Sequence, residues 1–208
     1  MKIMVKNLVL GVAWLQIAGC TLIDSTLSID YQPLSKPFSG VETPVFLSRV
    51  EDARPERPRI GCKKNGYGSE SADLLLDVPL EMWFAGMINQ EMRAAGLRLA
   101  SPEETGAVLL EVKIEHFFIE PDVSFGTVEI YAAVVAELKV FFPDGKAFRR
   151  RFAAYEHASS MLPTDASYTE PMRLALEAWV RQALPALHSL LARQAGQEQA
   201  WGWTRMWS

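Results

Sequence analysis

The stretch "LLEVKIEHFF" (109–118) decides how this chain folds. Leu110, Val112 and Ile114 alternate with Glu111, Lys113 and Glu115, and a period of two residues puts one face of a strand on a core and the other in water. "TVEIYAAVVAELKVFF" (127–142) repeats the pattern, with Val128, Ile130, Ala132, Val134, Ala136, Leu138 and Val140 set against Glu129, Tyr131, Glu137 and Lys139. Asp144-Gly145 is a strong hairpin signal and turns the chain into a third strand, "AFRRRFAAYEH" (147–157). Arg150 there shares the parity of Phe148 and Phe152, so it is paired or lies past the core edge. "PVFLSRV" (44–50) reads as an earlier buried strand.

Two helices flank this β region. Leu80, Trp83, Phe84, Met87, Ile88 and Met92 fall on one face at spacings of three to four residues. Pro79 fits the first turn, Asp77 is the candidate cap, and Gly96 suits a left-handed C′ position. The second helix is expected from Ser167, where Ser167-Tyr168-Thr169-Glu170 has the capping-box form with Pro171 in the first turn. Its stripe is Met172, Leu176, Trp179, Val180, Ala183, Leu184, Leu187, Leu190 and Leu191, with Pro185 expected to kink it. The order β-α-β-β-β-α predicts an α+β domain: an antiparallel sheet with both helices on one face. Trp83 and Trp179 are expected to be buried, and Glu111, Lys113 and Glu115 to face water.

At the N-terminus, Lys2 and Lys6 precede "LVLGVAWLQIAG" (8–19), which is apolar apart from Gln16. The run is short of the ~20 residues that span ~30 Å of hydrocarbon, and it has the charged and apolar regions of a secretory signal. Ile17-Ala18-Gly19-Cys20 looks like a bacterial lipobox. That resemblance implies cleavage before Cys20, diacylglycerol on its thiol and an acyl chain on the new N-terminus. Two or more chains, at ~0.8 kcal/mol per buried methylene, hold a protein stably on a membrane. Thr21 stands where Asp would favour retention at the inner membrane, which points to the outer membrane. Residues 1–19 are thus expected to be a signal peptide, and 20–43 a lipidated cysteine and tether with a short strand around 27–31. A single domain over 44–196 and a tryptophan-rich tail over 197–208 follow. A flexible tether of that length has a reach of ~25 Å.

The chain has 208 residues and a formal charge of −4, enough for one domain with a core. The mild acidity argues against nucleic acid as a partner, because such binders neutralise phosphates with clustered cations. With Cys20 acylated, Cys62 has no disulfide partner; it is a packing residue or a spare thiol. His116, His157 and His188 have no paired spacing and predict no metal site, and no nucleophile motif or phosphate loop is present. "NGYGSES" (65–71) lacks the Lys-Ser/Thr end of such a loop. No cofactor is expected beyond the lipid on Cys20, and no catalytic residue.

Two features remain as candidate binding surfaces. Arg54, Arg57, Arg59, Lys63 and Lys64 crowd a polar loop punctuated by Pro55, Pro58, Gly61 and Gly66. This loop either binds carboxylate or phosphate groups of an envelope ligand or partner, or is a solvated loop. Arg54, in Asp52-Ala53-Arg54, has a structural alternative: to pair with a carboxylate and hold the loop's base. Trp201, Trp203 and Trp207 form either a docking foot or a flap over the sheet.

Taken together, the lipobox, "VEDARPERPRIGCKKNGYGSESADLLL" (50–76), "AAGLRL" (94–99), "VKIEHFFIE" (112–120) and "ELKVFFPDGK" (137–146) resemble the YajG family of bacterial lipoproteins over most of the mature chain. The most specific part is Asp52-x-Arg54 with Ile60-Gly61 and Asn65-Gly66; the tryptophan-rich tail and Cys62 are departures. The resemblance implies an outer-membrane, periplasm-facing lipoprotein without an established enzymatic activity or catalytic residues. The expected role is to bind or help assemble another envelope component. An auxiliary subunit of a transport or secretion machine is the rival, and a cell-envelope enzyme ranks third.

Overall fold

The computed structural model describes residues 23–38 and 42–205, with side chains through residue 194. The expectations for the signal peptide, for Cys20, and for the side chains of Trp201, Trp203 and Trp207 therefore concern groups outside the described residues. The elements run β1 (Ser25–Leu27), β2 (Val45–Asp52), β3 (Gly61–Lys64), β4 (Glu70–Leu76), α1 (Leu80–Ala94), β5 (Val108–Ser124), β6 (Thr127–Phe141), β7 (Ala147–Ser160) and α2 (Asp165–Arg205). They form an α+β domain with an open seven-stranded sheet in the order β1-β4-β3-β5-β6-β7, and β2 also pairs with β5.

The alternating segments form the antiparallel β5-β6-β7 meander. Its second turn closes where Asp144-Gly145 predicts: Gly145 has φ 86° and Asp144 Oδ1 accepts the Lys146 amide at 3.0 Å. Alternation in "LLEVKIEHFF" breaks at a register shift between Ile114 and His116. Leu110, Val112 and Ile114 are buried before the shift, and Phe117 and Ile119 after it. The extra residue keeps the apolar side chains on one face of a 17-residue strand.

The sheet is mixed, not wholly antiparallel. β2 and β3 lie in succession along one edge of β5, both parallel to it, and β1 is parallel to β4. Parallel strands need a long crossover, and α1 lies within the one that joins β2 to β5. The polar stretch expected to be a loop contains β3 and β4. Asn65 Oδ1 accepts the Tyr67 and Ser69 amides at 2.9 and 3.2 Å, closing the turn between them. Gly61 lets β3 meet β5, since a Cβ there would lie 2.5 Å from the Ile119 carbonyl oxygen.

Both helices cover the same face. Trp179 of α2 is fully buried, edge-on to Phe84 of α1 at 5.3 Å and to Phe152 of β7 at 6.4 Å. Trp83 is half-buried rather than enclosed, on the margin between Tyr31 and Phe117. Asp77 does not cap α1, whose N-cap is Pro79 with no side-chain bond. The helix closes at Gly96 (φ 74°), with the Leu97 amide bonded to Met92 O at 2.9 Å. α2 begins two residues before the expected Ser167 and runs on past Pro185 to Arg205, so residues 197–205 continue its helical backbone.

The flexible tether expected over 20–43 is corrected for residues 23–38, which pack on the domain. Leu27, Ile29 and Tyr31 are buried while Ser28 and Asp30 are exposed, the period-two pattern of a strand. Glu91 of α1, fully buried, accepts the Leu34 amide at 2.8 Å, the Ser35 amide at 3.0 Å and the Tyr31 hydroxyl.

Truncating Trp179 to Ala should destabilise the protein by about 3–5 kcal/mol, the range for a large buried aromatic. Urea unfolding at equilibrium checks this.

Candidate functional site

The cations of the 54–64 stretch do not form one free basic surface, because the fold uses each of them. Arg54 is buried and forms a two-pronged ion pair with Asp52, Nε to Oδ1 and Nη2 to Oδ2, both at 2.8 Å. Its Nη1 donates to Arg59 O at 2.8 Å and Phe117 O at 3.0 Å. A guanidinium with matched acceptors is the form in which a charge can be buried, and the pair ties β2 and the loop base to β5. Arg54 thus takes the structural role open to it and is not available to a ligand. Arg57 donates to Asp52 O at 2.8 Å across the same base.

Arg59 lies between Glu56, Glu70 and Asp73, with its guanidinium 5.4 Å from the centre of the Phe118 ring. Its hydrogen bond holds the Glu70 carboxyl below the usual range. Lys64 pairs with Glu120 at 2.9 Å, which raises the ammonium above its ordinary value. Lys63 is buried, and its Nζ donates to Ser25 Oγ at 2.6 Å and Ile23 O at 3.2 Å. Carboxylates at contact distance offset the charges of Arg54, Arg59 and Lys64, whereas Arg57 and Lys63 are held by neutral oxygens and keep theirs.

Two cavities border this region. One, of about 430 Å³, lies between the loop base and the start of α1; Arg54 and Arg57 share it with Asp52, Asp77 and Glu81. Its acids outnumber its cations, which does not favour an anion. The other, of about 610 Å³, opens at the start of α2. Ile23, Lys63, Val123, Val128 and Tyr168 line it, with Asp24 and Asp165 at the same opening. Cys62 is buried without a disulfide partner, and burial, then Glu70, pushes its thiol up to about 11.

The histidines stay apart. His116 sits beside Phe118, His157 stacks on Tyr131 at 5.7 Å, and His188 stacks on Phe38 at 4.3 Å. Among the described residues no three His, Cys, Asp or Glu side chains converge as metal ligands would. The group that sequence reasoning missed is Glu91. Its position continues the apolar stripe of Leu80, Phe84, Met87 and Ile88, so an acid on a core face was the available signal.

No family model matches the chain, and none of the curated proteins does. Among solved structures, the fold is similar to a Xanthomonas campestris protein described under the family model DUF330, with a TM-score of 0.54 and 13% identity over 84% of this chain and 98% of that one. Lower similarity is found to a hypothetical protein of Chlamydia trachomatis (TM-score 0.44, 13% identity, 73% of this chain and 99% of that one). A lipoprotein of Neisseria meningitidis follows (0.38, 9%, 69% and 99%). The first establishes a shared fold.

Arg54→Gln leaves Asp52 buried without its counter-charge and should cost about 3–5 kcal/mol. Arg59→Gln should cost no more than about 1 kcal/mol, the range of exposed ion pairs. Denaturant titration of both variants separates a buried pair from a surface network. A thiol reagent at pH 8 should leave Cys62 unmodified in the folded protein and react fully once urea unfolds it, because burial both shields the sulfur and disfavours the thiolate.

Proposed function

We propose that this chain is a lipoprotein acylated at Cys20, held on the periplasmic side of the outer membrane, and related to the YajG family. Its role is non-enzymatic: it binds or helps assemble another envelope component. The observation that carries the reading is the lipobox Ile17-Ala18-Gly19-Cys20 standing directly before a folded domain whose first described residue is Ile23. Among the described residues no helix is long and apolar enough to cross a membrane.

The internal pairing of Arg54, Arg59 and Lys64 moves the candidate partner surface away from electrostatics. A partner that recognised this loop would meet Glu56, Glu70 and Asp73 as readily as Arg59. Apolar surface and backbone edges are therefore the better-supported means of recognition.

Mass spectrometry of the membrane fraction should find the N-terminal peptide beginning at Cys20 and carrying diacylglycerol and a further acyl chain. Cys20→Ser should remain uncleaved and unacylated. An unmodified N-terminus at Thr21 or later would contradict the assignment. Capture of the intact lipoprotein from solubilised envelopes would then identify the component it serves.

A further inference from the structure

The most exposed large apolar side chains among the described residues are Phe125, Tyr67, Met161, Leu162 and Ile23, at 107%, 97%, 79%, 78% and 69% of full exposure. They belong to separate parts of the sequence, yet strand register brings them to one end of the sheet. Phe125 is at the tip of the β5–β6 hairpin, where Ser124 pairs with Thr127. Met161 and Leu162 follow Ser160, the β7 residue paired with Val128 at the start of β6. Tyr67 tops the β3–β4 turn, and Lys64 at its base reaches Glu120 near the end of β5. Ile23 lies beside Lys63, its carbonyl bonded to the Lys63 ammonium.

The same end receives the chain from its N-terminus. β1 runs parallel to β4, from Ser25 beside Leu74 to Leu27 beside Leu76, away from the β3–β4 turn. Its upstream residues therefore lie toward that turn, and Cys20 is three residues before Ile23. We propose that this end of the domain is a bilayer-docking surface, with Phe125, Tyr67, Met161 and Leu162 entering the interfacial layer around the anchor. Tyr67 suits that layer because its ring is apolar while its hydroxyl can stay in water, and Phe125, Met161 and Leu162 supply apolar area. Each buried apolar side chain adds to the hold of the lipid.

Charge selects the kind of bilayer. Lys63 and Lys64 are engaged internally, whereas Asp24, Asp122, Glu129 and Asp165 stand at this end. An acidic rim is repelled by an anionic surface, so the occupant is a zwitterionic bilayer, and contact rests on apolar insertion. The inference rests on the anchoring reading for the direction of approach; the apolar tips are independent of it.

The test reconstitutes the full-length protein into phosphatidylcholine vesicles containing a phospholipid with a photoactivatable diazirine high on its acyl chain, then maps the labelled peptides. Label should concentrate on peptides holding Tyr67, Phe125 and Met161-Leu162. Met82 and Tyr155, exposed to 68% and 67% but elsewhere on the domain, should stay at background. The triple variant Tyr67→Ser, Phe125→Ser, Leu162→Ser should lose about tenfold in tip labelling, a loss of roughly 1.4 kcal/mol in contact, with its melting temperature unchanged. Replacing part of the phosphatidylcholine with an anionic phospholipid should not increase labelling. Tips at background, label spread evenly to Met82 and Tyr155, an undiminished triple variant, or a requirement for anionic lipid would each overturn the proposal. Intact mass reports acylation separately: an unacylated protein with labelled tips would remove the anchoring reading and leave the docking surface standing.

Discussion

A single buried carboxylate determines how close this domain stands to whatever holds its N-terminus. Glu91 projects from the core face of α1 and is fully enclosed. A carboxylate in such a place is costly unless hydrogen bonds replace its water. Three donors do so, the Tyr31 hydroxyl and the amides of Leu34 and Ser35, and all come from the same stretch of chain. Burial, and then the bond to Glu91, push the Tyr31 phenol well above its ordinary range and keep it a donor. The carboxylate is satisfied only while residues 31–35 cross α1, and this path carries β1 onto β4.

The consequence is geometric. With Ile23 already bonded to Lys63, three residue steps separate it from Cys20, and an extended chain covers about 3.3–3.6 Å per residue. If Cys20 is acylated as proposed, it would hold the domain within roughly 10 Å of the lipid surface, not at the ~25 Å expected of a free linker. Under the proposed anchoring, a partner would meet the domain at the membrane. The orientation is also restricted, because β1, the β3–β4 turn, the β5–β6 hairpin and the start of α2 share one end of the sheet.

The fold was legible wherever one residue type repeated at a fixed period. The β5–β6–β7 meander and the apolar stripes of both helices could be read directly, since alternation and 3.6-residue spacing follow from backbone geometry. β3 was not legible: Gly61, Cys62, Lys63 and Lys64 have little strand propensity, and their pairing depends on the absence of a Cβ beside Ile119. The cation cluster was seen but its use was hidden, because the carboxylates that answer it come from as far away as Glu120. The hint for Arg54 was local, Asp52 two residues earlier, and so that role was readable. Glu91 and the gathering of Tyr67, Phe125, Met161 and Leu162 at one end depend on tertiary placement. The helical stripe marks Glu91 as an acid on a core face, but neither its partners nor the gathering of the apolar tips is encoded in a local pattern.

The central claim is that the N-terminal segment is part of the domain and not a leash. Amide hydrogen exchange of the full-length protein tests this most directly at Leu27, Leu34 and Ser35. The account predicts that these amides exchange slowly and open together with α1, and that Glu91→Gln, which weakens the acceptor, accelerates Leu34 and Ser35 while leaving the β5–β6–β7 meander protected. Exchange of residues 25–35 at the rate of an unstructured peptide, with or without Glu91, would contradict it.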